Sequence, residues 1–238
     1  MKWEETVHKI VSQFIEIVCI LILLLMGFFI WDTISIQRSA KVDNYIKELK
    51  PSINKETKEV DLSALQAINP DVVGWLTLDN TPIDYPVLQG NPDYTYLNRD
   101  MYGNRSLTGS LFISFQSNRY FEDAYTIIYG HHMEAGGMFG AIDYYEDENY
   151  FNEHLTGTLI TEKKIYNLTV QALVYTDAYN DIYFNKNLKS LKAFVKDTKG
   201  YELKVGNIEI TDKTLLLSTC GSVGSTDRIL LILKMEER

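Results

Sequence analysis

The longest apolar run in the chain lies near its N-terminus. Between Ile10 and Trp31 the only charged residue is Glu16, and the run from Ile17 to Trp31 is uninterrupted. At about 1.5 Å per helical residue, some 20 residues cross a hydrocarbon core of roughly 30 Å. The pattern therefore predicts a transmembrane anchor over residues 10–31, preceded by a short tail over residues 1–9.

A cleaved signal peptide is the alternative for this apolar run. The run is long, however, and no small-x-small cleavage pattern follows it before Arg38. We therefore expect an uncleaved anchor. Lysines and arginines flank the run on both sides, so their distribution does not decide its orientation.

Residues 32–68 are predicted to form a stalk with short helices. The segment up to residue 60 is polar and charged, and a short helix is expected around Val42 to Leu49. A second short helix is expected from Asp61, a good N-cap residue, because apolar residues recur after it at Leu62, Leu65 and Ile68.

From residue 69 onward the pattern changes to short apolar segments that are rich in β-branched and aromatic residues. All five prolines precede residue 93, so the later part lacks a residue that interrupts central strands. Seven strands are predicted: Gly74–Leu78, Leu111–Phe115, Tyr125–Tyr129, Thr158–Thr161, Ile165–Thr176, Thr214–Ser218 and Arg228–Lys234. Residues 69–238 are thus expected to form one mostly β domain, either a barrel or a sandwich.

One amphipathic helix interrupts this sheet pattern, from Leu188 to Lys199, with Gly200 as its candidate C-cap. It lies in a long connection between strands. Such connections often bind ligands, and covering the sheet is the equally weighted alternative.

Composition narrows the function classes. The chain is 45% hydrophobic and 23% charged, which is ordinary for a globular domain, and its net charge of -9 argues against nucleic-acid binding. The two cysteines, Cys19 and Cys220, fall in separate predicted segments. We therefore expect no disulfide between them, and a free thiol at Cys220.

Cys220 ends one apolar strand, and Arg228 begins the next. If the two strands form a hairpin, facing Cβ atoms lie roughly 5 Å apart, and a neighbouring cation favours the reactive thiolate. The alternative is a buried, inert Cys220 and a solvated Arg228.

Four histidines are present, and His131 is the candidate proton carrier, because it follows a predicted strand and Gly130. His132 should point the opposite way, His8 precedes the anchor, and His154 lies in a predicted surface turn. Adjacent histidines rarely converge on one ion, so we expect neither a metal nor a cofactor.

The segments Thr214-Leu-Leu-Leu-Ser-Thr-Cys220, Arg228 and Ile127-Ile-Tyr-Gly-His131-His-Met resemble those of the sortases, the cysteine transpeptidases of Gram-positive surfaces. The likeness is greatest to class B. Asn69-Pro-Asp-Val-Val-Gly-Trp-Leu76, Ile83-Asp-Tyr-Pro-Val-Leu-Gln89 and Tyr96-Leu-Asn98 are typical of that class. One departure is Ser114, where class B members usually carry an aspartate.

The resemblance implies an eight-stranded β-barrel with N-terminal helices, and a helix in the long connection before the cysteine strand. It implies Cys220 as nucleophile, His131 as acid and base, and Arg228 as the residue that stabilises the oxyanion or holds the peptide. Asn98, Ser218 and Thr219 are further expected substrate contacts.

The implied reaction cleaves a sorting motif of the Asn-Pro-x-Thr or Pro-x-Thr type after Thr and joins the acyl group to a peptidoglycan precursor or pilin amine. The resemblance also implies a single-pass protein of the cell membrane with an extracellular domain over residues 69–238. Two alternatives are an anchored cysteine peptidase and a non-catalytic surface-binding module.

Overall fold

The computed structural model describes residues 2–51, 60–133, 136–184, 187–197, 213–220 and 226–238. Two compact units are present, one formed by the N-terminal helix and one by the chain from Ala40 onward. The N-terminal helix, α1, spans Lys2–Ser39, and its apolar side chains are exposed. Within the described residues it is the one helix long and apolar enough to cross a membrane.

Two short helices open the second unit and confirm the two that were predicted. α2 spans Asn44–Glu48, and the Asp43 carboxylate caps it by accepting a 2.6 Å hydrogen bond from the Tyr45 backbone N–H. α3 spans Ser63–Ile68, and its N-cap residue is Leu62, one residue after the predicted Asp61. Asp61 still accepts a 2.8 Å hydrogen bond from the Ser63 N–H. Ile46, Leu62 and Leu65 are buried, so both helices pack on the domain.

Eight strands close into a barrel in the order β1-β2-β3-β4-β7-β8-β6-β5. The β2–β3 and β4–β7 pairs are parallel, and the other six are antiparallel. The eight-stranded barrel is therefore confirmed. The strand bounds are β1 Val72–Leu78, β2 Asp84–Leu88, β3 Leu111–Ile113, β4 Tyr125–Tyr129, β5 Thr156–Thr161, β6 Ile165–Asp177, β7 Thr214–Cys220 and β8 Asp227–Glu237.

The strand missing from the sequence prediction is β2, because it contains Pro86. Pro86 is opposite Trp75 of β1, whereas the pairing with β3 begins only at Val87. A proline has no N–H to donate, so it is tolerated where a strand has a partner on one side only. The local sequence contains no sign of that one-sided pairing.

Apolar side chains alternate between the interior and the outside of the barrel. The interior is filled from all eight strands and is extended by α4, Glu148–Glu153, and by a 3₁₀ helix over Gly140–Glu146, here called the barrel-end segment. Ala141, Ile142 and Tyr145 of that segment are fully buried in this core. The segment follows the turn after β4 and covers the barrel interior.

Two separate layers cover the outside of the barrel. On the α2–α3 side, Ile46, Leu62 and Leu65 pack on a cluster that includes Trp75, Leu88 and Phe112. On the opposite α5 side, α5 (Leu188–Asp197) and a 3₁₀ turn over Asp181–Tyr183 cover the outer faces of β4, β6, β7 and β8.

The predicted helix in the long connection is therefore confirmed as α5. Leu191 is fully buried, Phe194 nearly so, and Val195 packs beside them. The helix ends at Asp197 in the described residues. The predicted C-cap, Gly200, lies outside those residues.

Candidate active site

The predicted catalytic residues lie at the ends of three neighbouring strands of the barrel wall, β4, β7 and β8. β6 is the next strand beyond β8. Cys220, the last residue of β7, is paired with Arg228 of β8, and Arg228 is paired in turn with Thr176 of β6. The predicted hairpin geometry is therefore present at the backbone level. The loop between the two strands, residues 221–225, lies outside the described residues.

His131 lies at the same end of the barrel as this pair. β4 and β7 run parallel, and Tyr129 of β4 is paired with Ser218 of β7. His131 comes two residues after Tyr129, and Cys220 comes two residues after Ser218. The Gly130 N–H continues the ladder by donating to the Ser218 carbonyl at 3.1 Å. The tertiary structure thus brings the three predicted catalytic positions to one end of three adjacent strands.

Gly130 permits the close approach that this arrangement needs. A Cβ at residue 130 would lie 2.5 Å from Leu111 Cδ2 and 2.6 Å from Phe139 Cδ2. A larger residue would push the chain away from those side chains just before His131. The glycine therefore helps to determine where the imidazole is placed.

Among the described residues, a backbone carbonyl is the hydrogen-bond partner that defines the protonation of the His131 imidazole. Its Nε2 lies 2.7 Å from the backbone carbonyl oxygen of Leu97. A carbonyl oxygen only accepts hydrogen bonds, so Nε2 must carry a proton in this arrangement. Nδ1 is then the nitrogen that can gain or lose a proton.

Aromatic rings form the wall beside the site. Phe112 and Tyr129 stack with centroids 5.4 Å apart, and Tyr183 lies 6.4 Å from Tyr129. Burial raises the pKa of Tyr129 above its usual range, so its hydroxyl stays neutral near neutral pH. The Tyr183 hydroxyl shares a 3.0 Å hydrogen bond with Ser218 Oγ, which connects the Asp181–Tyr183 turn to β7.

Two sequence relatives are named sortase B. The chain is 30% identical to sortase B of Listeria monocytogenes over 175 residues, which cover 71% of this chain and 70% of that protein. The chain belongs to the class B sortases. It is 28% identical to sortase B of Staphylococcus aureus over 233 residues, which cover 93% of this chain and 95% of the relative. No family model matches the chain.

Solved structures agree with this membership. The Staphylococcus aureus sortase B–substrate complex superposes with a TM-score of 0.65 at 29% identity, over 74% of this chain and 84% of the other. A Streptococcus pyogenes class B sortase involved in pilus biogenesis gives a TM-score of 0.65 at 32% identity, over 74% and 98%. The sortase resemblance is confirmed, and the protein is a cysteine transpeptidase.

The expected substrate contacts of this sortase have different surroundings. Ser218 lies on the α5 side with Tyr183, and Asn98 is exposed next to Leu97. Thr219 is buried, and within the described ranges its Oγ1 has no hydrogen-bond partner. The roles of all three in substrate binding stay predictions.

Arg228 lies in a polar strand end. Its Nη1 donates to the Asp227 carbonyl at 2.9 Å, and its side chain is half-buried. On the neighbouring β6, the hydrogen bond from Thr226 holds the pKa of Asp177 below its usual value, and the positive charge of Arg228 adds to that effect. Arg228 thus lies among acceptors and a carboxylate at the site end of the barrel.

The other two histidines of this unit are bonded elsewhere. His132 Nε2 lies 2.6 Å from Asp143 Oδ2, and His154 Nδ1 lies 2.7 Å from the Tyr150 carbonyl oxygen. No group of three possible metal ligands is found among the described residues.

Ser114, where the resemblance led us to expect an aspartate, has a carboxylate beside it. Ser114 Oγ donates to Asp93 Oδ2 at 3.0 Å, and the Phe115 N–H donates to Asp93 Oδ1 at 2.6 Å. The carboxylate comes from another segment of the chain.

Sequence reasoning missed the Leu97 carbonyl, the Tyr183 hydroxyl and Asp143. The first is a backbone group, which no residue pattern identifies. Tyr183 and Asp143 lie in connections between strands, and neither contact follows a local sequence pattern. Their only sequence signal is that tyrosine and aspartate are able to form hydrogen bonds.

Proposed function

We propose that the Cys220 thiolate attacks the carbonyl carbon of a threonine in a sorting motif. The C–N bond to the next residue breaks, the leaving amine takes a proton from His131, and a thioester to Cys220 forms. An incoming amine then attacks the thioester, gives its proton to His131, and displaces Cys220 as the thiolate, which restores the starting state. The observation that supports these roles is the pairing of Cys220 with Arg228, two residues beyond the pairing of Ser218 with Tyr129.

Arg228 stabilises the negative oxygen that develops on the threonine carbonyl, or holds the peptide against β8. A guanidinium beside this carbonyl would act as a preorganised donor to the oxyanion. It would also favour the Cys220 thiolate over the thiol. Both effects need the cation close to the thiol, which is what the strand register supports.

His131 exchanges its proton through Nδ1. The hydrogen bond between Nε2 and the Leu97 carbonyl persists in both the neutral and the charged ring, so the backbone holds the ring while Nδ1 changes state. Since Cys220 and His131 both take part in the proposed reaction, its pH optimum should depend on both residues and not on one of them.

The substrate would be an extended peptide of the Asn-Pro-x-Thr or Pro-x-Thr type. The aromatic wall of Tyr129 and Tyr183 gives an apolar surface beside Ser218, which suits a proline-containing segment. The similar Staphylococcus aureus enzyme was solved as a substrate complex, which supports a peptide in this place. Asn98 and Thr219 are further proposed contacts.

The acceptor would be an amine of a peptidoglycan precursor or of a pilin. The Streptococcus pyogenes relative is involved in pilus biogenesis, which supports a pilin lysine as one of the two candidates. Both acceptors present a primary amine, so the same second half-reaction applies.

The proposed location is the cell membrane of a Gram-positive cell, with α1 as a single span and the catalytic unit outside. The apolar, exposed surface of α1 supports the anchor. The proposed divisions are a cytoplasmic tail over residues 1–9, the anchor over 10–31, a stalk with short helices over 32–68, and the catalytic domain over 69–238. External protease should digest the catalytic unit of intact cells, and its protection would contradict this orientation.

The test of the chemistry is mass spectrometry of the full chain in detergent, mixed with Pro-x-Thr peptides with and without amines. We expect an acyl adduct on Cys220 that passes to the amine, and at least about a 10³-fold lower rate in Cys220→Ala. Acyl transfer to water alone would favour the peptidase. Peptide binding without an adduct, retained in Cys220→Ala, would favour the binding module.

A further inference from the structure

The residue after His131 forms a short ion pair at the barrel end. His132 Nε2 lies 2.6 Å from Asp143 Oδ2, and the His132 side chain is 22% exposed. The second carboxylate oxygen, Asp143 Oδ1, is buried and has no hydrogen-bond partner among the described residues. The carboxylate is therefore directed at His132, and neither residue has a role in the reaction described above.

Asp143 belongs to a rigid part of the protein. The barrel-end segment, Gly140–Glu146, inserts Ala141, Ile142 and Tyr145 into the interior core, all fully buried. It also packs directly on the turn after β4, because a Cβ at Gly140 would lie 1.9 Å from the Met133 carbonyl oxygen. The Asp143 carboxylate is thus held in place as an acceptor for a donor in the turn after β4.

The segment is attached at its other end as well. Glu146 accepts a hydrogen bond from the Tyr175 hydroxyl of β6. In the barrel order, β7 and β8 lie between β4 and β6. The barrel-end segment therefore connects the two strands that flank those carrying Cys220 and Arg228.

The turn that carries His131 is closed by backbone contacts. The Phe139 N–H donates to the His131 carbonyl at 3.0 Å, and His132 forms a bridge with Met138. The Met138 N–H donates to the Tyr85 hydroxyl at 3.1 Å. These bonds join the two ends of the turn. The His132 side chain adds a further bond, from the end of the turn that follows β4 to the barrel-end segment.

We propose that His132 and Asp143 are positioning residues for His131. The bond between His132 and Asp143 would fix the backbone at residue 132. The backbone of the adjacent residue 131 would then be restricted as well, which keeps the His131 side chain directed toward the Leu97 carbonyl. A misplacement of about 1 Å in a proton-transfer group can lower a rate by roughly 10²-fold. This inference rests on the proposed function, in which His131 transfers the proton.

The test is steady-state kinetics and Cys220 alkylation of the full chain in detergent. In His132→Ala and in Asp143→Ala we expect kcat for acylation to fall about 10- to 100-fold, with KM within about twofold. His132→Gln keeps an N–H donor for Asp143 and should recover most of the rate. Asp143→Asn keeps an acceptor and should do the same.

Two control variants separate positioning from general loosening. Tyr175→Phe releases the other end of the barrel-end segment and should lower kcat by less than about threefold. His154→Gln changes the histidine that follows α4 as its C-cap, and should leave both constants unchanged. Equal losses in Tyr175→Phe and His132→Ala would overturn the proposal, and so would a failure of His132→Gln to recover activity.

The pH profile of alkylation by iodoacetamide gives a readout that needs no substrate. If His131 is displaced in His132→Ala, the pH profile of Cys220 alkylation should shift by at least about half a pH unit relative to wild type, because the thiol would have a different neighbouring group. An unchanged profile together with unchanged kcat would overturn the proposal. If the wild-type chain forms no acyl adduct, the proposed function fails separately, and the alkylation profile still decides on positioning.

Discussion

The two layers that cover the barrel are held in different ways. On the α2–α3 side, Asp84 accepts hydrogen bonds from Lys50, Trp75 and Thr77 at 2.6, 2.7 and 2.9 Å. On the α5 side, apolar packing of Leu191 and Phe194 is supplemented by hydrogen bonds from Tyr125 to the Ile182 carbonyl and between Tyr183 and Ser218. The first layer combines apolar packing with one charged link to the barrel, the Lys50–Asp84 pair, whereas the second has packing and uncharged hydrogen bonds.

The active-site strands lie under the second layer. β4, β7 and β8 contribute Ile127, Leu216 and Leu230 to the cluster that α5 covers, and they carry His131, Cys220 and Arg228 at their ends. A layer held by packing can shift with less cost than one bonded to a half-buried carboxylate. We infer that the α2–α3 side provides stability and that the α5 side serves the substrate.

The largest expected effect comes from a matched pair of core substitutions. Leu65 of α3 and Leu191 of α5 are both 0% exposed, so Leu65→Ala and Leu191→Ala should each lower the free energy of unfolding by about 2–5 kcal/mol. Only Leu191→Ala should also raise KM, about threefold if the layer is formed a third of the time. Chemical denaturation and peptide kinetics measure the two effects. Equal KM changes in both variants would contradict the inference that only the α5 side serves the substrate.

A smaller effect is expected for the charged network. Asp84→Asn removes the negative charge of the carboxylate that accepts hydrogen bonds from Lys50, Trp75 and Thr77. It should lower the free energy of unfolding by about 2 kcal/mol and leave kcat unchanged. Glu237→Gln is the control, because the Lys164–Glu237 pair is more exposed and its loss should leave the free energy of unfolding almost unchanged. A kcat loss in Asp84→Asn would contradict the assignment of this side to stability.

The same network predicts a pH dependence. Burial alone would raise the pKa of Asp84, but the hydrogen bonds from Lys50 and Trp75 outweigh it and hold that pKa below its usual value. The stabilisation from Asp84 is therefore complete above the unfolded pKa of about 3.9, and is lost as pH falls through the lower folded pKa. The stabilities of wild type and Asp84→Asn should converge below that point.

The smallest effect is expected at the contact between the Asp181–Tyr183 turn and β7. Tyr183→Phe removes the hydroxyl that bonds Ser218 and should raise KM about fivefold, equivalent to about 1 kcal/mol, with little change in kcat. Tyr179→Phe is the control, since Tyr179 is exposed in the same connection. If both variants behave alike, the Tyr183–Ser218 contact does not order the substrate wall.

Much of the fold could be predicted because strands and helices leave local patterns. All seven predicted strands are present with ends shifted by a few residues, and α5 lies where its apolar spacing placed it. β2 was missed because Pro86 is compatible with a strand only through one-sided pairing with β1. That pairing involves residues outside the local window.

The candidate site could be predicted as a set of residue types and motifs, but not as an arrangement. Cys220 and Arg228 are neighbours through a short hairpin, so sequence separation was enough to pair them. His131 reaches the same end of the barrel only through the parallel β4–β7 pairing, which joins segments far apart in the chain. Its contact with the Leu97 carbonyl depends on the same long-range packing.

The sequence by itself determined the apolar N-terminal helix, the mostly β domain, the class B motifs and the identities of the candidate catalytic residues. Each of these depends on local periodicity or on residue chemistry, which the order of residues contains directly. The closed strand order, the contact of His131 with Leu97, the bond of His132 to Asp143 and the two unlike outer layers were decided only by the tertiary structure. They arise from pairing and burial between distant segments, where many arrangements satisfy the same local pattern.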